Sequence, residues 1–262
     1  MPVDSPQVTI VIPARHASSR FPGKPLALLA GKPLIQHVYE QAVRVPKVAQ
    51  VLVATDDARI HESVEQFGGR SLMVTTPCRT GTDRVAEAVR RLPCEIVVNL
   101  QADEILLSPN LLIDLIDPFL AGDAEMGTLR RPLTCRDEFA QPSVVKVVTD
   151  RKGKALYFSR APIPHARDHV RDNPPFASLH LGVYIFRRHT LNRMASLPSG
   201  TLEEAEKLEQ LRALEHGIPI HVWETTHASL RIDTEEDLEQ ANASWDELIR
   251  SCSLVPGGRG PG

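Results

Sequence analysis

The chain has few cysteines, a small net charge and no long apolar run. Its 262 residues include four cysteines, which lack the C-x-x-C spacing of zinc or redox sites. The net charge of −3 argues against a general nucleic-acid binder, which is usually strongly basic. No apolar stretch approaches the roughly 18 to 20 residues that span a bilayer, and the first residues lack a signal-peptide pattern. We therefore expect a cytoplasmic protein without nucleic-acid or membrane partners.

Short apolar runs alternate with amphipathic segments along the first hundred residues. The amphipathic segments place their apolar residues on one helical stripe, whereas the apolar runs are typical of buried strands. This alternation predicts an α/β fold with a doubly wound, mostly parallel sheet. Strands are predicted at 8–12, 51–54, 71–75 and 95–100, and helices at 32–45 and 81–92.

The pattern changes at about residue 126, where strand-like stretches follow one another without long intervening helices. We expect residues 126–187 to form a mixed-sheet extension, with a loop at 165–178 that is rich in proline and mixed charge. Two helices are predicted after it, at 202–215, capped by Gly217, and at 235–249. The expected organisation is a single domain over residues 1–250 and a disordered tail at 251–262.

The segment IPARHASSRFPGKPL, residues 12–26, directly follows the first predicted strand. Ligands of open parallel sheets bind at the carboxyl ends of the strands. Gly23 allows backbone N–H groups to approach phosphate oxygens, while Arg15, Arg20 and Lys24 supply positive charge. The segment matches neither the Walker loop nor G-x-G-x-x-G. It predicts a triphosphate site; the alternative is a basic surface loop after an edge strand.

The same segment resembles the amino-terminal signature of the 3-deoxy-manno-octulosonate (Kdo) cytidylyltransferases, or CMP-Kdo synthetases. Further segments similar to this family follow in the same order, so the resemblance covers about residues 7–245. They are VATDD (53–57), TGTDR (80–84), NLQADE (99–104), VVKVVTD (144–150), ALYFSRAPIP (155–164), HLGVY (180–184), LEEAEKLEQLRALE (202–215) and IDTEEDLE (232–239).

The resemblance implies a Mg²⁺ site at Asp103 and Asp233. Magnesium usually takes only one or two protein carboxylates and completes its shell with phosphate oxygens and water. Each aspartate follows a strand-like run, which is a sensible place for such a ligand. Taken alone, Asp103 could be a polar strand end, and Asp233 could be the N-cap of the helix that follows it.

By the same resemblance, the nucleotide site is formed by the basic loop at 12–26 and by the start of the helix at 80–84. Arg15 and Lys24, together with Arg20, would hold the triphosphate. TGTDR opens a helix whose N–H groups favour an anion or a polar base edge, so Thr82 and Arg84 would lie near the cytidine. For Arg84 the alternative is a solvated helix arginine.

The family's sugar-binding residues also have counterparts here. An acidic sugar needs arginine for its carboxylate, and amides and carboxylates for its hydroxyls. His180, Gly182 and Tyr184 share one face of a predicted strand. His180 alone could be a core histidine, and Glu209 and Gln210 alone could be a solvated helix face. Arg160 and Arg167 match the family's sugar-carboxylate and sugar-binding arginines. The implied sugar-binding set is Gln101, Arg160, Arg167, His180, Tyr184, Glu209 and Gln210, with Gln101 between sugar and nucleotide.

The implied reaction couples CTP to Kdo, giving CMP-Kdo and pyrophosphate for lipopolysaccharide synthesis. The resemblance also implies a homodimer, with the extension at 126–187 helping to form both the sugar pocket and the dimer contact. The anomeric hydroxyl would attack the α-phosphorus in line, and Arg15, Lys24, Asp103 and Asp233 would be catalytic. A family 2 glycosyltransferase is less favoured because its D-x-D pattern is absent. A non-catalytic relative would have lost Lys24, Asp103 or Asp233, and all three are present.

Three residues depart from the family pattern beside the expected site. Ala102 stands where the family has glycine, Ile105 where it has proline, and Arg231 where it has glycine. Ala102 would be strained if its backbone needed a positive φ. Arg231 could either add a cation to the site or point to solvent. The departures leave a paralogue for a related acid, such as 8-amino-Kdo, as an alternative.

Overall fold

The computed structural model describes residues 8–17, 21–90, 92–133, 136–165, 167 and 178–253. The strands in these ranges are β1 (Val8–Ala14), β2 (Leu28–Leu29), β3 (Lys32–Pro33), β4 (Val48–Thr55), β5 (Ser71–Met73), β6 (Ile96–Leu100), β7 (Glu104–Leu106), β8 (Met126–Pro132), β9 (Lys146–Thr149), β10 (Ala155–Ser159), β11 (Ser178–Arg187), β12 (His221–Glu224) and β13 (Ser229–Arg231). The helices are α1 (Leu34–Ala42), α2 (Ala58–Gln66), α3 (Gly81–Val89), α4 (Asn110–Ala121), α5 (Arg136–Ala140), α6 (Arg188–Ser196), α7 (Thr201–Glu206), α8 (Gln210–Glu215) and α9 (Glu235–Ser253), with a 3₁₀ turn at Lys24–Leu26.

The main sheet has the strand order β10-β9-β11-β6-β1-β4-β5, and β8 joins it by pairing with β11 and β12. β1 runs parallel to both of its neighbours, β4 and β6, and all seven of its residues are buried. A strand covered on both faces needs a continuous apolar run, which is why this segment was recognisable. The predicted α/β fold with a parallel central sheet is confirmed.

Helices cover both faces of this sheet. Alternate residues of β1 point to opposite sides, so that Ile10 and Ile12 belong to one apolar cluster and Val11 belongs to the other. Helices α1, α2 and α4 contribute to the first cluster, and α3, α6 and α8 to the second. The predicted elements did not include α2 or α4. None of the helices in the described ranges is long and apolar enough to cross a membrane.

The region 126–187 forms the antiparallel part of the sheet, as its strand-like pattern predicted. β11 pairs antiparallel with β6, β8 and β9, and β10 pairs antiparallel with β9. The short helix α5 interrupts this region and was not predicted. The predicted loop at 165–178 lies largely outside the described residues.

The single helix predicted at 202–215 is wrong. The structure has two helices, α7 and α8, separated at Lys207, which adopts a left-handed conformation with φ of 53°. Arg212 is fully buried, and its Nε lies 2.7 Å from Oε2 of Glu203. In a continuous helix, residues nine apart would lie about 13 Å apart along the axis, so this ion pair requires the break.

The last helix is longer than expected. It was predicted to end at residue 249, but α9 continues to Ser253, so the tail predicted to be disordered from 251 begins inside a helix. Residues 254–262 lie outside the described part. The predicted cap at Gly217 is confirmed, since that residue has a φ of 70°.

Lys146 is a fully buried cation that joins the turn before β9 to the residue that follows β10. Its Nζ donates to the carbonyl oxygens of Gln141, Val144 and Arg160 at 2.9, 2.7 and 2.5 Å. Burial disfavours the charged form and lowers the pKa of Lys146. The three carbonyls take the place of the water that the ammonium group has lost.

We expect Lys146→Met to lower the free energy of unfolding by about 3 kcal/mol, because three buried carbonyls lose their donor. Urea unfolding followed by circular dichroism measures the change. Lys154→Met is the matched control: Lys154 is exposed, and its replacement should change stability by less than about 0.5 kcal/mol. Equal unfolding midpoints for both variants would contradict a structural role for Lys146.

Candidate active site

The carboxyl end of β1 leads into a loop that folds back on itself. The backbone N–H of Gly23 donates to the carbonyl of His16 at 2.9 Å, and Gly23 has a φ of 72°. A Cβ at this position would also lie 3.0 Å from Nε2 of His16, so both the conformation and the space favour glycine. Arg15 follows β1 directly and is exposed. Arg20, also predicted here, lies outside the described residues.

The loop brings Lys24 between the two aspartates that were expected to bind metal. Its Nζ lies 2.7 Å from Oδ2 of Asp103 and 3.4 Å from Oδ1 of Asp233, and it donates to the carbonyl of Ile232 at 3.0 Å. All three charged side chains are at most 22 % exposed, so their attraction is only partly screened by water. Two carboxylates and one cation therefore converge at this edge of the sheet.

The N-cap of α9 is not Asp233. Thr234 Oγ1 accepts from the backbone N–H of Asp237, while Oδ2 of Asp237 accepts from the backbone N–H groups of Asp233 and Thr234. Thr234 and Asp237 thus cap the helix reciprocally. The Asp233 carboxylate is directed instead to Lys24 and to Arg231.

The pair of aspartates fits a magnesium ion. Within the described residues no group of three or more His, Cys, Asp or Glu side chains could hold a metal. Magnesium does not need such a group, because one or two carboxylates suffice when substrate phosphates and water fill the shell. The shared contact of both carboxylates with one cation shows that they can neutralise a common positive charge.

The start of α3 forms a polar corner beside this group. Thr80 and Asp83 cap the helix reciprocally, and a Cβ on Gly81 would lie 3.3 Å from Oε1 of Gln101. Arg84 is not the solvated arginine considered above, because its side chain is only 6 % exposed and its Nη2 lies 2.6 Å from Oδ2 of Asp56. Its Nη1 is buried without a hydrogen-bond partner.

A cavity of about 170 Å³ opens next to the carboxylate pair. It gathers side chains from α3, from the loop after β6, from β11 and from the start of α8, which are far apart in sequence. Predicted residues in its lining are Thr82, Gln101, Asp103, Arg160, His180, Tyr184, Glu209 and Gln210. The lining also includes Gly182, which was expected on the face of His180 and Tyr184, and Arg231, for which the site and solvent were both left open. Residues that were not predicted are Glu104, Val145, Lys207 and Leu208.

His180 is a neutral hydrogen-bonding group in this cavity. Burial, reinforced by the nearby positive charge of Arg231, lowers the pKa of His180 to about 3. The hydroxyl of Thr128 donates to the carbonyl of Val183 at 2.7 Å and lies 3.0 Å from Nε2 of His180. When the single hydroxyl hydrogen of Thr128 goes to a carbonyl, Nε2 of His180 donates to Oγ1 of Thr128 and Nδ1 is left as an acceptor.

Glu209 and Gln210 enter the cavity because the chain breaks between α7 and α8. Thr82 Oγ1 donates to Oε2 of Glu209 at 2.8 Å, and burial raises the pKa of Glu209. The Nε2 group of Gln210 is buried without a hydrogen-bond partner. A buried amide of this kind is suited to a ligand oxygen.

The two arginines expected to bind the sugar are placed differently. Arg160 lines the cavity, but its guanidinium donates to the carbonyls of Glu206, Pro142 and Lys207 at 2.7, 3.0 and 3.4 Å. Arg167 is exposed and is not part of the cavity lining that the structure describes. Of these two predicted arginines, only Arg160 lies in the described lining of the cavity.

The three departures from the family pattern have clear positions. Ala102 is nearly buried and is not among the described residues with positive φ, so its methyl group causes no backbone strain. Ile105 is fully buried in the apolar core. Arg231 points to the site, where its Nε lies 3.1 Å from Oδ2 of Asp233.

Glu104 was missed because its neighbour Asp103 carries the more familiar chemistry. It is 5 % exposed, and burial raises its pKa. Its Oε1 accepts a hydrogen bond from Ser229, and β13 pairs with β7 so that Arg231 stands opposite Glu104. A charged residue inside an apolar strand was the only sequence signal available.

Residues 9–226 match the family model described as cytidylyltransferase. The chain is 50% identical to a 3-deoxy-manno-octulosonate cytidylyltransferase of Trichlorobacter lovleyi, covering 90% of this chain and 97% of that protein. For a protein of the same name from Anaeromyxobacter dehalogenans the identity is 52%, with 90% and 96% covered.

Solved structures agree with these relatives. A CMP:2-keto-3-deoxy-manno-octonic acid synthetase complexed with CTP superposes with a TM-score of 0.85 at 40% identity, covering 92% of this chain and 99% of that one. A 4-diphosphocytidyl-2C-methyl-D-erythritol synthase from Anaerococcus prevotii, at 17% identity and a TM-score of 0.60, shares the fold and covers 93% of this chain and 100% of its own. The chain belongs to the 3-deoxy-manno-octulosonate cytidylyltransferase family.

Proposed function

We propose that the protein transfers the cytidylyl group of CTP to the anomeric hydroxyl of Kdo, giving CMP-Kdo and pyrophosphate for lipopolysaccharide synthesis. The observation that carries the proposal is the contact of Lys24 with both Asp103 and Asp233 beside a polar cavity. Family membership supports CTP as the nucleotide and Kdo as the acceptor. The activity would belong to one domain, residues 1–250, since the cavity is lined from Thr82 to Arg231.

The chain's own contribution to the chemistry is charge and position. Attack on a triphosphate is slow in water because several negative charges repel the nucleophile, and cations around the phosphates reduce this repulsion. Arg15, Lys24 and Arg20 would hold the triphosphate. Asp103 and Asp233 would hold Mg²⁺, which, when bound, neutralises phosphate charge and acts as a Lewis acid.

The cavity residues would hold the acceptor. Neutral His180 offers Nδ1 as an acceptor, and the buried amide of Gln210 offers a donor, so sugar hydroxyls can satisfy both. Glu209, Tyr184 and Gln101 complete the polar lining. Arg160 keeps two of its five N–H groups for the sugar after donating three to carbonyls. Arg167 would reach the sugar only from outside the described cavity.

On the nucleotide side, Thr82 and Arg84 would surround the base. The unpartnered Nη1 of Arg84 is buried at the start of α3, where a polar base edge would satisfy it. The anchoring of Nη2 by Asp56 fixes the guanidinium plane. A fixed donor of this kind discriminates between bases better than a mobile one.

We also propose that the protein is a cytoplasmic homodimer. CTP is an intracellular nucleotide, which supports the location. Within the extension, β10 is the edge strand of the main sheet, and Leu156 on this strand is 63% exposed. A second copy that covers this edge would remove both the unpaired outer edge of β10 and the apolar side chain of Leu156 from water.

Sedimentation equilibrium of the purified protein should give twice the chain mass of 29.0 kDa. Leu156→Lys should shift the equilibrium towards the monomer, because burying an unpaired charge is costly. Leu202→Lys, at an apolar residue 39% exposed on α7, is the matched control and should leave the mass unchanged. A wild-type monomer at micromolar concentration would rule out the dimer.

We expect magnesium-dependent release of pyrophosphate from CTP with Kdo, and much slower release with UTP or ATP. A coupled pyrophosphate assay, run with a panel of 2-keto-3-deoxy sugar acids that includes 8-amino-Kdo, measures this directly. Turnover with another acid but not with Kdo would assign a different acceptor. If no acid of the panel gives pyrophosphate release, cytidylyl transfer is refuted.

Asp103→Asn and Asp233→Asn should each lower kcat by about 10²-fold or more, since each removes a charge that is needed for the metal and triphosphate. Titration with Mn²⁺ should show weaker metal binding in both variants. Asp117→Asn is the matched control, because Asp117 is 48% exposed and pairs with Lys47 on the surface. Normal metal affinity in either active-site variant would mean that the metal binds elsewhere.

A further inference from the structure

Arg231 stands where two cavities meet. The cavity of about 170 Å³ in which the sugar would bind is called the acceptor cavity below. A second cavity of about 190 Å³ adjoins it, and both are lined by Glu104, Val145, His180, Gly182 and Arg231. The positive charge of Arg231 also contributes to the low pKa of His180. Arg231 therefore lies between the carboxylates that would bind metal and the residues that would bind sugar.

The guanidinium of Arg231 is only partly engaged. Its Nε pairs with Asp233 at 3.1 Å, and the side chain is 48% exposed. Among the described residues, neither Nη1 nor Nη2 of Arg231 donates a hydrogen bond to a side chain or a carbonyl, although the charge of Arg231 interacts with the carboxylates of Asp103, Asp233 and Glu104. The terminal fork is therefore available to a planar anion, which it can bind through two parallel hydrogen bonds.

Other arginines in the walls of the two cavities are more fully occupied. Arg160 donates from Nε, Nη1 and Nη2 to backbone carbonyls. Arg131 pairs through both Nη groups with the two carboxylate oxygens of Glu138. Arg231 is thus the guanidinium in these walls, so far as the structure describes them, whose Nη1 and Nη2 donate no hydrogen bond to a protein acceptor.

The chemistry of the acceptor places a carboxylate at this point. In the ring form of a 2-keto sugar acid, the anomeric carbon carries both the attacking hydroxyl and the carboxylate. The hydroxyl must approach the phosphate held near Asp103 and Asp233, so the carboxylate must lie within a few ångströms of the same place. Arg231 is anchored to Asp233 and borders the acceptor cavity, which is the position that this carboxylate needs.

We propose that Arg231 binds the carboxylate of the acceptor through Nη1 and Nη2 while its Nε remains on Asp233. This inference rests on the proposed function and adds a residue that selects acidic sugars. The bridge from Asp233 to the acceptor orients the anomeric carbon relative to the phosphate. Arg231 is an acceptor-binding residue, and it supplies no proton and forms no covalent bond.

The test compares the wild type with Arg231→Gly and Arg231→Lys on two acceptors, Kdo and its C1 carboxamide. Arg231→Gly should raise KM for Kdo about 10- to 100-fold and leave KM for CTP within about twofold, because a charge-assisted bidentate contact is lost only on the acceptor side. Lysine restores the charge without the fork and should recover part of the loss. For the carboxamide, wild type and Arg231→Gly should perform alike.

A binding arm makes the test independent of turnover. Calorimetry with a Kdo analogue that lacks the anomeric hydroxyl, without CTP or metal, should show a loss of affinity of the same size in Arg231→Gly. Arg44→Gly, an exposed arginine in the turn after α1, should match the wild type in both arms. Thermal melting checks that each variant is folded.

The outcomes separate this inference from the proposed function. If the wild type turns over, three results would overturn the role of Arg231 and leave cytidylyl transfer standing. They are an unchanged KM for Kdo in Arg231→Gly, equal losses of activity with Kdo and with its carboxamide, and a raised KM for CTP alone. Binding of the analogue that depends on Arg231, without pyrophosphate release by the wild type, would refute only the proposed reaction. Absence of both binding and turnover would refute both.

Discussion

Two carboxylates that approach one another inside a protein need a cation between them, and Lys24 fills that place between Asp103 and Asp233. Without it, Arg231 would be left as the cation that offsets the repulsion between these two carboxylates, and the contact between the loop after β6 and the start of α9 would be weaker. The lysine comes from the loop after β1, so its contact also fixes that loop. The positions of the loop after β1, of the carboxylate pair and of the wall of the neighbouring cavity therefore depend on one ion cluster.

Much of the fold follows from local sequence. Continuous apolar runs identify the central parallel strands, because residues buried on both faces must all be apolar. The loop at 12–26 was also recognisable, since cations and glycine follow a buried strand. The helix at 202–215 was predicted as continuous because it has no glycine or proline. The break depends on the buried pair of Glu203 and Arg212, a tertiary contact with no local signature.

The residue types of the site could be predicted from the sequence, but the direction in which each side chain points could not. Arg84 has the sequence setting of a solvated helix residue, and it is buried because Asp56 from a neighbouring strand end pairs with it. The side on which Arg231 lies depends on the antiparallel pairing of β13 with β7, a contact between distant segments. Similarly, Thr234 rather than Asp233 caps α9, a choice that only the three-dimensional arrangement decides.

The buried arginine of α8 links the two halves of the site. Arg212 pairs with Glu203, and its Nη1 lies 3.7 Å from Oδ1 of Asp83, in the cap of α3. Thr82 of α3 in turn donates to Glu209 beside α8. These contacts hold α3 and α8 together. Under the proposed function, α3 would border the nucleotide and α8 the acceptor; because folding fixes the alignment of these helices, little orientational freedom between the two substrates would remain to be lost on the way to the transition state.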